Sequence, residues 1–182
     1  MLNLEILPRC DREAAIRILE HSPWLLIPDL DLHLFQTGRQ QVYCHSSIPA
    51  ELDADFLIVE RLPHDSHWQL VCIAGPQDDI LRDGILTAEL QAALSKVTRW
   101  STIACECLTR WLRESDNAGG NHQISYRIVI GDSHRQSDLE RAVVRSLRTN
   151  KLRIRSYRWL LEKQNLYPEL KVVDQTWSDI PI

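Results

Sequence analysis

Apolar residues recur at intervals of three and four in several stretches, and this spacing predicts amphipathic helices. The first stretch has Asp11 as its N-cap, and Ser22-Pro23 ends it because the residue before a proline avoids the helical conformation. The longest carries Trp100 on its apolar side. The predicted helices cover about residues 11–21, 87–113, 137–148 and 157–163.

Shorter runs alternate between apolar and polar residues or are continuously apolar, and both patterns predict strands. The turn Thr37-Gly38-Arg39 predicts a first hairpin, and the loop at residues 63–67 predicts a second one. A loop is expected at residues 115–123. The order of helices and strands predicts an α/β domain with a central mixed sheet flanked by helices. The predicted strands cover residues 30–35, 41–44, 55–60, 68–74, 124–130 and 151–155.

Length and composition fit one folded domain spanning residues 1–182. Hydrophobic residues make up 44% of the chain and charged residues 25%, which excludes disorder for most of it. No apolar stretch approaches the roughly 18 residues of a membrane span. The N-terminal residues 1–5 are acidic and lack the basic region of a signal peptide, so we expect a cytoplasmic protein.

The cysteines and histidines do not predict a metal centre. The chain has five cysteines, an odd number, and no pair has the CxxC spacing. Free thiols in a reducing compartment are therefore expected. The seven histidines show no HxH or HExxH spacing, so no structural zinc site is predicted.

Positive charge is concentrated near the C-terminal end of the chain. Residues 141–163 contain eight basic residues and one acidic residue, giving +7 against −11 for the rest of a chain whose net charge is −4. Such a basic segment could bind phosphate, or it could be a solvent-exposed helix face that pairs with the acidic remainder. The candidate nucleic-acid-binding residues are Arg141, Arg145, Arg148, Lys151, Arg153, Arg155 and Arg158.

Six segments follow one another in a recognisable order and spacing, and no single segment is specific by itself. They are Glu20-His-Ser-Pro-Trp-Leu-Leu26, Ala54-Asp-Phe-Leu-Ile-Val59, Trp68-Gln-Leu-Val-Cys-Ile-Ala-Gly-Pro76, Glu89–Trp100, Tyr126–Gly131 and Arg155–Leu161. Together they resemble the PD-(D/E)XK nuclease core of the Shedu anti-phage defence proteins. The resemblance covers about residues 13–165 and implies a restriction-endonuclease-like fold.

The resemblance also implies a site in which two carboxylates hold Mg²⁺ against the scissile phosphate, with a lysine beside the attacking water. Asp55 stands at the position of the first carboxylate. Cys72 and Ala74 replace the glutamate and the lysine of the E-x-K pattern, and Lys96 replaces a glutamine of the following helix. Glu13 is the acidic residue of the first helix. A thiol is a poor ligand for Mg²⁺, so the site is expected to be degenerate.

Each candidate also has a structural interpretation. Asp55 could close a turn, Glu13 could be a solvent-exposed helix residue, and Cys72 could be a small buried hydrophobic residue. Lys96 could be a migrated catalytic lysine or a cation that balances Asp55.

Three functions remain open: an inactive nuclease-fold binding protein, an active Mg²⁺-dependent nuclease using Glu13, Asp55 and Lys96, or a protein-assembly subunit. No cofactor is expected unless the chain is an active nuclease, in which case the cofactor is Mg²⁺. The candidate partners are DNA, a protein of a defence or mobile-element module, and a second copy of the chain.

Overall fold

The computed structural model describes residues 4–28, 32–61, 65–114 and 121–166. A five-stranded mixed sheet with helices on both faces forms its centre, which confirms the predicted α/β class with a mixed sheet flanked by helices. The helices are α1 (Arg12–His21), α2 (Leu32–Gln36), α3 (Ala88–Glu114), α4 (Asp138–Leu147) and α5 (Tyr157–Leu166). The strands are β1 (Gln40–Cys44), β2 (Phe56–Arg61), β3 (Asp65–Ile73), β4 (Leu81–Arg82), β5 (Ile85–Leu86), β6 (Asn121–Val129) and β7 (Leu152–Arg155).

The sheet order is β1-β2-β3-β6-β7. The first three strands are antiparallel, and Phe56 pairs with Val71, which confirms the predicted hairpin of β2 and β3. Strands β6 and β7 run parallel to β3, with Ile73, Val129 and Arg155 in register. The start of β2 and the ends of β3, β6 and β7 therefore lie along one edge of the sheet.

Alternation along the strands divides the core into two layers. One layer packs the sheet against α3, where Trp100 is fully buried as predicted. The other layer packs the opposite face against α1 and α5 and includes Ile58 and Tyr157. Both faces are covered, which explains why β2 reads as a continuous apolar run.

Local signals place most helix boundaries. The Asp11 side chain accepts a hydrogen bond from the Ala14 amide at 2.7 Å, so it caps α1 as predicted. Ser137 and Glu140 form a capping box at the start of α4. The Glu140 carboxylate also accepts from the amides of Ile80 and Leu81, both at 3.2 Å, and so fastens β4 to α4.

The predicted first hairpin is wrong. Residues 30 and 31 lie outside the described residues, but Leu32–Gln36 is a helix and β1 pairs with β2. The amides of Gly38 and Arg39 bond back to the carbonyls of Phe35 and Leu34. Gly38 has φ of +72°, so the presumed hairpin turn is the glycine end of a short helix. A five-residue alternation does not distinguish one helical turn from a strand.

Two predicted loops are also shorter than expected. Residues 62–64 lie outside the described residues, but residues 65–67 belong to β3. Residues 115–120 are likewise outside, and 121–123 belong to β6. No helix in the described part of the chain is both long and apolar enough to cross a membrane.

Candidate functional site

Asp55 lies immediately before β2, at the edge of the sheet where the parallel strands β3, β6 and β7 end. The loop that precedes it is fastened to α3 by three side chains. The Trp100 indole nitrogen donates to the Leu52 carbonyl, and the Arg99 guanidinium donates to the same oxygen at 3.3 Å. Lys96 reaches the Asp53 carboxylate at 2.9 Å and its carbonyl at 3.2 Å. These contacts fix the position of Asp55 relative to α3.

Both carboxylate oxygens of Asp55 already have partners. Its Oδ2 accepts a hydrogen bond from the Ile73 amide at 2.7 Å. Its Oδ1 lies 2.6 Å from Nη2 of Arg12, whose Nε donates to the Ile73 carbonyl at 2.7 Å. The arginine thus bridges α1, the start of β2 and the end of β3. We call this arrangement the Asp55 site, and Asp55 in it is only 8% exposed.

The positions expected to hold a glutamate and a lysine contribute no polar ligand. Cys72 is buried, and burial is the main reason why the pKa of its thiol rises to about 12, with the Asp55 charge adding to the effect. It is therefore a protonated thiol at neutral pH. Ala74 offers only a methyl group, and its carbonyl accepts a hydrogen bond from the Tyr157 hydroxyl at 2.6 Å. Burial raises the pKa of that hydroxyl, so it remains a donor.

Lys96 and Glu13 do not contact Asp55. The Lys96 ammonium pairs with Asp53, and this hydrogen bond is the main reason why the pKa of Asp53 is lowered. Glu13 is exposed in the first turn of α1. The cation on Asp55 is Arg12, which sequence reasoning did not single out.

These residues do not fit Mg²⁺. Mg²⁺ binds oxygen ligands in an octahedral arrangement, and Asp55 is a single carboxylate whose oxygens are occupied by a guanidinium and an amide. A thiol and a methyl group stand beside it. Within the described ranges no cluster of three or more His, Cys, Asp or Glu side chains could hold a metal ion.

An open cleft of about 560 Å³ lies beside the Asp55 site. Its walls carry charges of both signs, and the charged lining residues are Arg9, Asp11, Arg12, Asp78 and Glu89. Such a mixture does not concentrate phosphate in the way that a single-sign cleft does.

The basic segment forms a different kind of surface along α4 and β7. Arg145, Arg148 and Arg153 are exposed, as expected, while Arg155 is half-buried. The pKa of Arg148 is lowered, first by partial burial and then by repulsion from Arg155, Arg153 and Arg145. The four guanidinium groups are therefore near one another, and we call them the arginine cluster.

The arginine cluster forms no ion pair within the described part of the chain, since none of its four members belongs to the ion pairs between described residues. Arg148 donates instead to the Ile154 carbonyl at 2.9 Å, and the Arg155 guanidinium lies 5.3 Å from the ring centre of Trp159. Four positive charges thus share one surface, and no described acidic side chain pairs with them.

The remaining members of the basic segment differ in this respect. Arg141 pairs with Asp138 at 3.3 Å, and Arg158 pairs with Asp132 at 3.3 Å. Lys151 is exposed next to the cluster in sequence. The structure therefore brings four of the seven predicted positions together and neutralises two others.

No family model matches this chain, and no curated protein matches it.

Proposed function

We propose that this chain is a catalytically inactive nuclease-fold protein that binds DNA through the arginine cluster. The observation that carries the proposal is the Arg12 guanidinium on Asp55, with Cys72 and Ala74 beside it. A guanidinium in this position supplies the positive charge that a metal ion would supply, but it has no open coordination position for a water or a phosphate.

The architecture supports the nuclease-fold part of the proposal. A central mixed sheet flanked by helices is what the resemblance implies, and Asp55, Cys72 and Ala74 lie on the paired strands β2 and β3 or at their ends. The positions that correspond to the nuclease site are therefore adjacent in space, although their chemistry differs. A role in a phage-defence or mobile-element module is part of the same proposal.

The arginine cluster supports the DNA-binding part. Guanidinium groups bind phosphate oxygens in a bidentate manner, and like charges held together without an acid favour a polyanion. Each phosphate neutralised contributes about −0.9 to the slope of log affinity against log salt concentration. Three to four contacts predict a slope of about −3, or binding weakened by some tens-fold between about 50 and 200 mM salt.

The test is a fluorescence anisotropy titration of a short DNA duplex over a range of salt concentrations. Combined replacement of Arg145, Arg148 and Arg153 by Gln should bring the slope close to zero. The fold should be unchanged, because the three side chains are exposed and make no ion pair with any described residue. Their hydrogen bonds run from Arg148 to the Ile154 carbonyl and from Arg153 to the Thr149 carbonyl, and a Gln side chain can also donate. Circular dichroism checks the fold.

The matched control carries the same loss of charge elsewhere on the surface. It replaces three exposed arginines that lie outside the basic segment and should keep the wild-type slope. If wild type shows no binding at about 50 mM salt, the DNA proposal is overturned. The cluster would then suit an acidic protein surface, including the acidic body of a second copy. The control residues are Arg9, Arg17 and Arg82.

A further inference from the structure

A second polar site lies at the other end of β2 and β3, on the sheet face that packs against α1 and α5. Glu60 is five residues from Asp55, or about 17 Å along the chain. There a cavity of about 70 Å³ is lined by both apolar and polar side chains. It is lined by Ile27, Pro28, Gln40, Ile58, Glu60, His67 and Gln69.

The first sign that this cavity takes a ligand is an unsatisfied amide. Gln69 is only 5% exposed, and its Nε2 donates to the Ser125 hydroxyl at 3.0 Å. Its Oε1 is buried and has no hydrogen-bond donor in the part of the chain that the structure describes. Leaving a buried acceptor unpaired is costly, so this oxygen favours a donor from beyond the described residues.

The second sign is a carboxylate that forms no ion pair with any described residue. Glu60 is half-buried, and its Oε1 accepts a hydrogen bond from Nε2 of Gln40 at 3.0 Å. None of the ion pairs between described residues includes it. A partly buried anion is stabilised most effectively by a charged donor.

His67 does not supply that charge. Burial lowers the pKa of its imidazole, with the Arg127 charge adding to the effect against an opposing contribution from Glu60. The ring is therefore neutral at neutral pH, and its Nε2 lies 2.8 Å from the Ser125 hydroxyl. The Arg127 guanidinium donates to the Leu26 carbonyl outside the cavity lining.

We propose that this cavity binds a primary ammonium group. The ammonium would donate to the Gln69 Oε1 and to the Glu60 carboxylate, while its alkyl carbon would contact Ile27 and Ile58. A water needs about 10–15 Å³ of such volume, so the cavity can hold an ammonium and one or two carbons. This inference does not rest on DNA binding, because it uses other residues on another part of the sheet.

The experiment is a titration of ¹⁵N-labelled protein with methylammonium, followed by the side-chain amide signals of Gln69. Tetramethylammonium is the matched ligand control, since it carries the same charge but no N–H donor. We expect a saturable shift with methylammonium, with a Kd below about 10 mM, and no saturable shift with tetramethylammonium. A second titration uses Nα-acetyl-lysine amide, which presents the ammonium as a protein side chain would.

Two variants test the named contacts. Glu60→Gln and Gln69→Met keep the side-chain volumes but remove the charge and the amide oxygen, and each should weaken methylammonium binding about tenfold or more. Because Gln69→Met also removes the observed signal, its titration is followed by backbone amides of β3. Glu106→Gln, which removes an exposed acid from α3, should leave binding unchanged.

Tighter binding of the lysine derivative would assign the site to a lysine side chain of a partner protein. Tighter binding of methylammonium would assign it to a small free amine. An equal response to tetramethylammonium, no saturable shift, or binding that Glu60→Gln leaves unchanged would overturn the proposal.

Discussion

The Asp55 site and the arginine cluster are both rich in charged side chains, but the first pairs opposite charges and the second holds like charges together. At Asp55 a guanidinium and a carboxylate are in contact, and each also bonds to the backbone of Ile73. In the arginine cluster four guanidinium groups are near one another, and none of them pairs with an acid among the described residues. The first arrangement stabilises the fold and closes the site to further ligands. The second costs stability and is open to an anion.

This contrast between paired and like charges indicates which of the two regions to associate with function. Opposite charges that pair in a folded core are an ordinary structural device, whereas like charges held together are unfavourable unless a partner neutralises them. The pKa of Arg148 is lowered first by partial burial and then by this repulsion.

The largest effect concerns thiol reactivity at the Asp55 site. The pKa of Cys72 is about 12, mainly because the thiol is buried, so its thiolate is scarce at neutral pH. We expect Cys72 to react with iodoacetamide about 1,000-fold more slowly than the exposed Cys105. Mass spectrometry of timed digests measures both rates, with fully denatured protein as the control. Equal rates in native protein would show that the site is open.

The second effect concerns stability. Asp55→Ala leaves the Ile73 amide without its acceptor and Arg12 without its partner, so the free energy of unfolding should fall by about 3 kcal/mol. Arg12→Ala should cost less, about 1 kcal/mol, because the Arg12 side chain is 45% exposed. Urea denaturation measures both changes.

Glu51→Ala is the control for this pair of variants. Glu51 pairs with Arg110 at 3.0 Å, and both side chains are more than half exposed. Its loss should change stability by less than about 0.5 kcal/mol. If Asp55→Ala costs no more than this, the Asp55 site does not stabilise the fold.

The third effect concerns metal binding. Cys72→Glu and Ala74→Lys, combined with Arg12→Ala, would rebuild the E-x-K pattern and release Asp55. Mn²⁺ binding measured by calorimetry should improve by about tenfold or more over wild type, because two carboxylates then face one ion. Saturable Mn²⁺ binding by wild type, lost on Asp55→Ala, would contradict the closed site.

The smallest effect concerns acid stability of the loop before Asp55. The Lys96 hydrogen bond lowers the pKa of Asp53 in the folded protein, so its contribution is present above the unfolded pKa and is lost as pH falls through the folded one. Since Asp53 is about half exposed, we expect only about 0.5 kcal/mol between about pH 5 and pH 3. Lys96→Met should remove this part of the pH dependence in urea denaturation. An unchanged pH profile would count against the pair.

The sequence predicts the type of a helix or strand more reliably when a whole face of that element is buried than when it is not. The repeating apolar positions of α3 and the continuous run of β2 define one structure each, and both are confirmed. The Leu32–Gln36 helix was missed because five residues are too few to show a period. The pairing of β1 with β2 depends on tertiary contacts that a local pattern does not contain.

The sites show the same limit. Asp55 and Cys72 could be proposed from the resemblance. Arg12 could not, because it lies 43 residues from Asp55 and its sequence context is that of any arginine at the start of a helix. Glu60 and Gln69 belong to different strands, and only the sheet brings them to one cavity. The members of the arginine cluster could be proposed from the sequence because they are close together in the chain.

A plasmid assay that follows binding and cleavage together, with Mg²⁺ and with Mn²⁺, tests most directly whether this protein binds DNA without cleaving it. Wild type should shift supercoiled plasmid at low salt and leave it uncut with either ion. The plasmid shift should be lost in the variant in which Arg145, Arg148 and Arg153 are replaced by Gln. Metal-dependent nicking or linearisation that disappears on Asp55→Ala would contradict the account and establish an active nuclease.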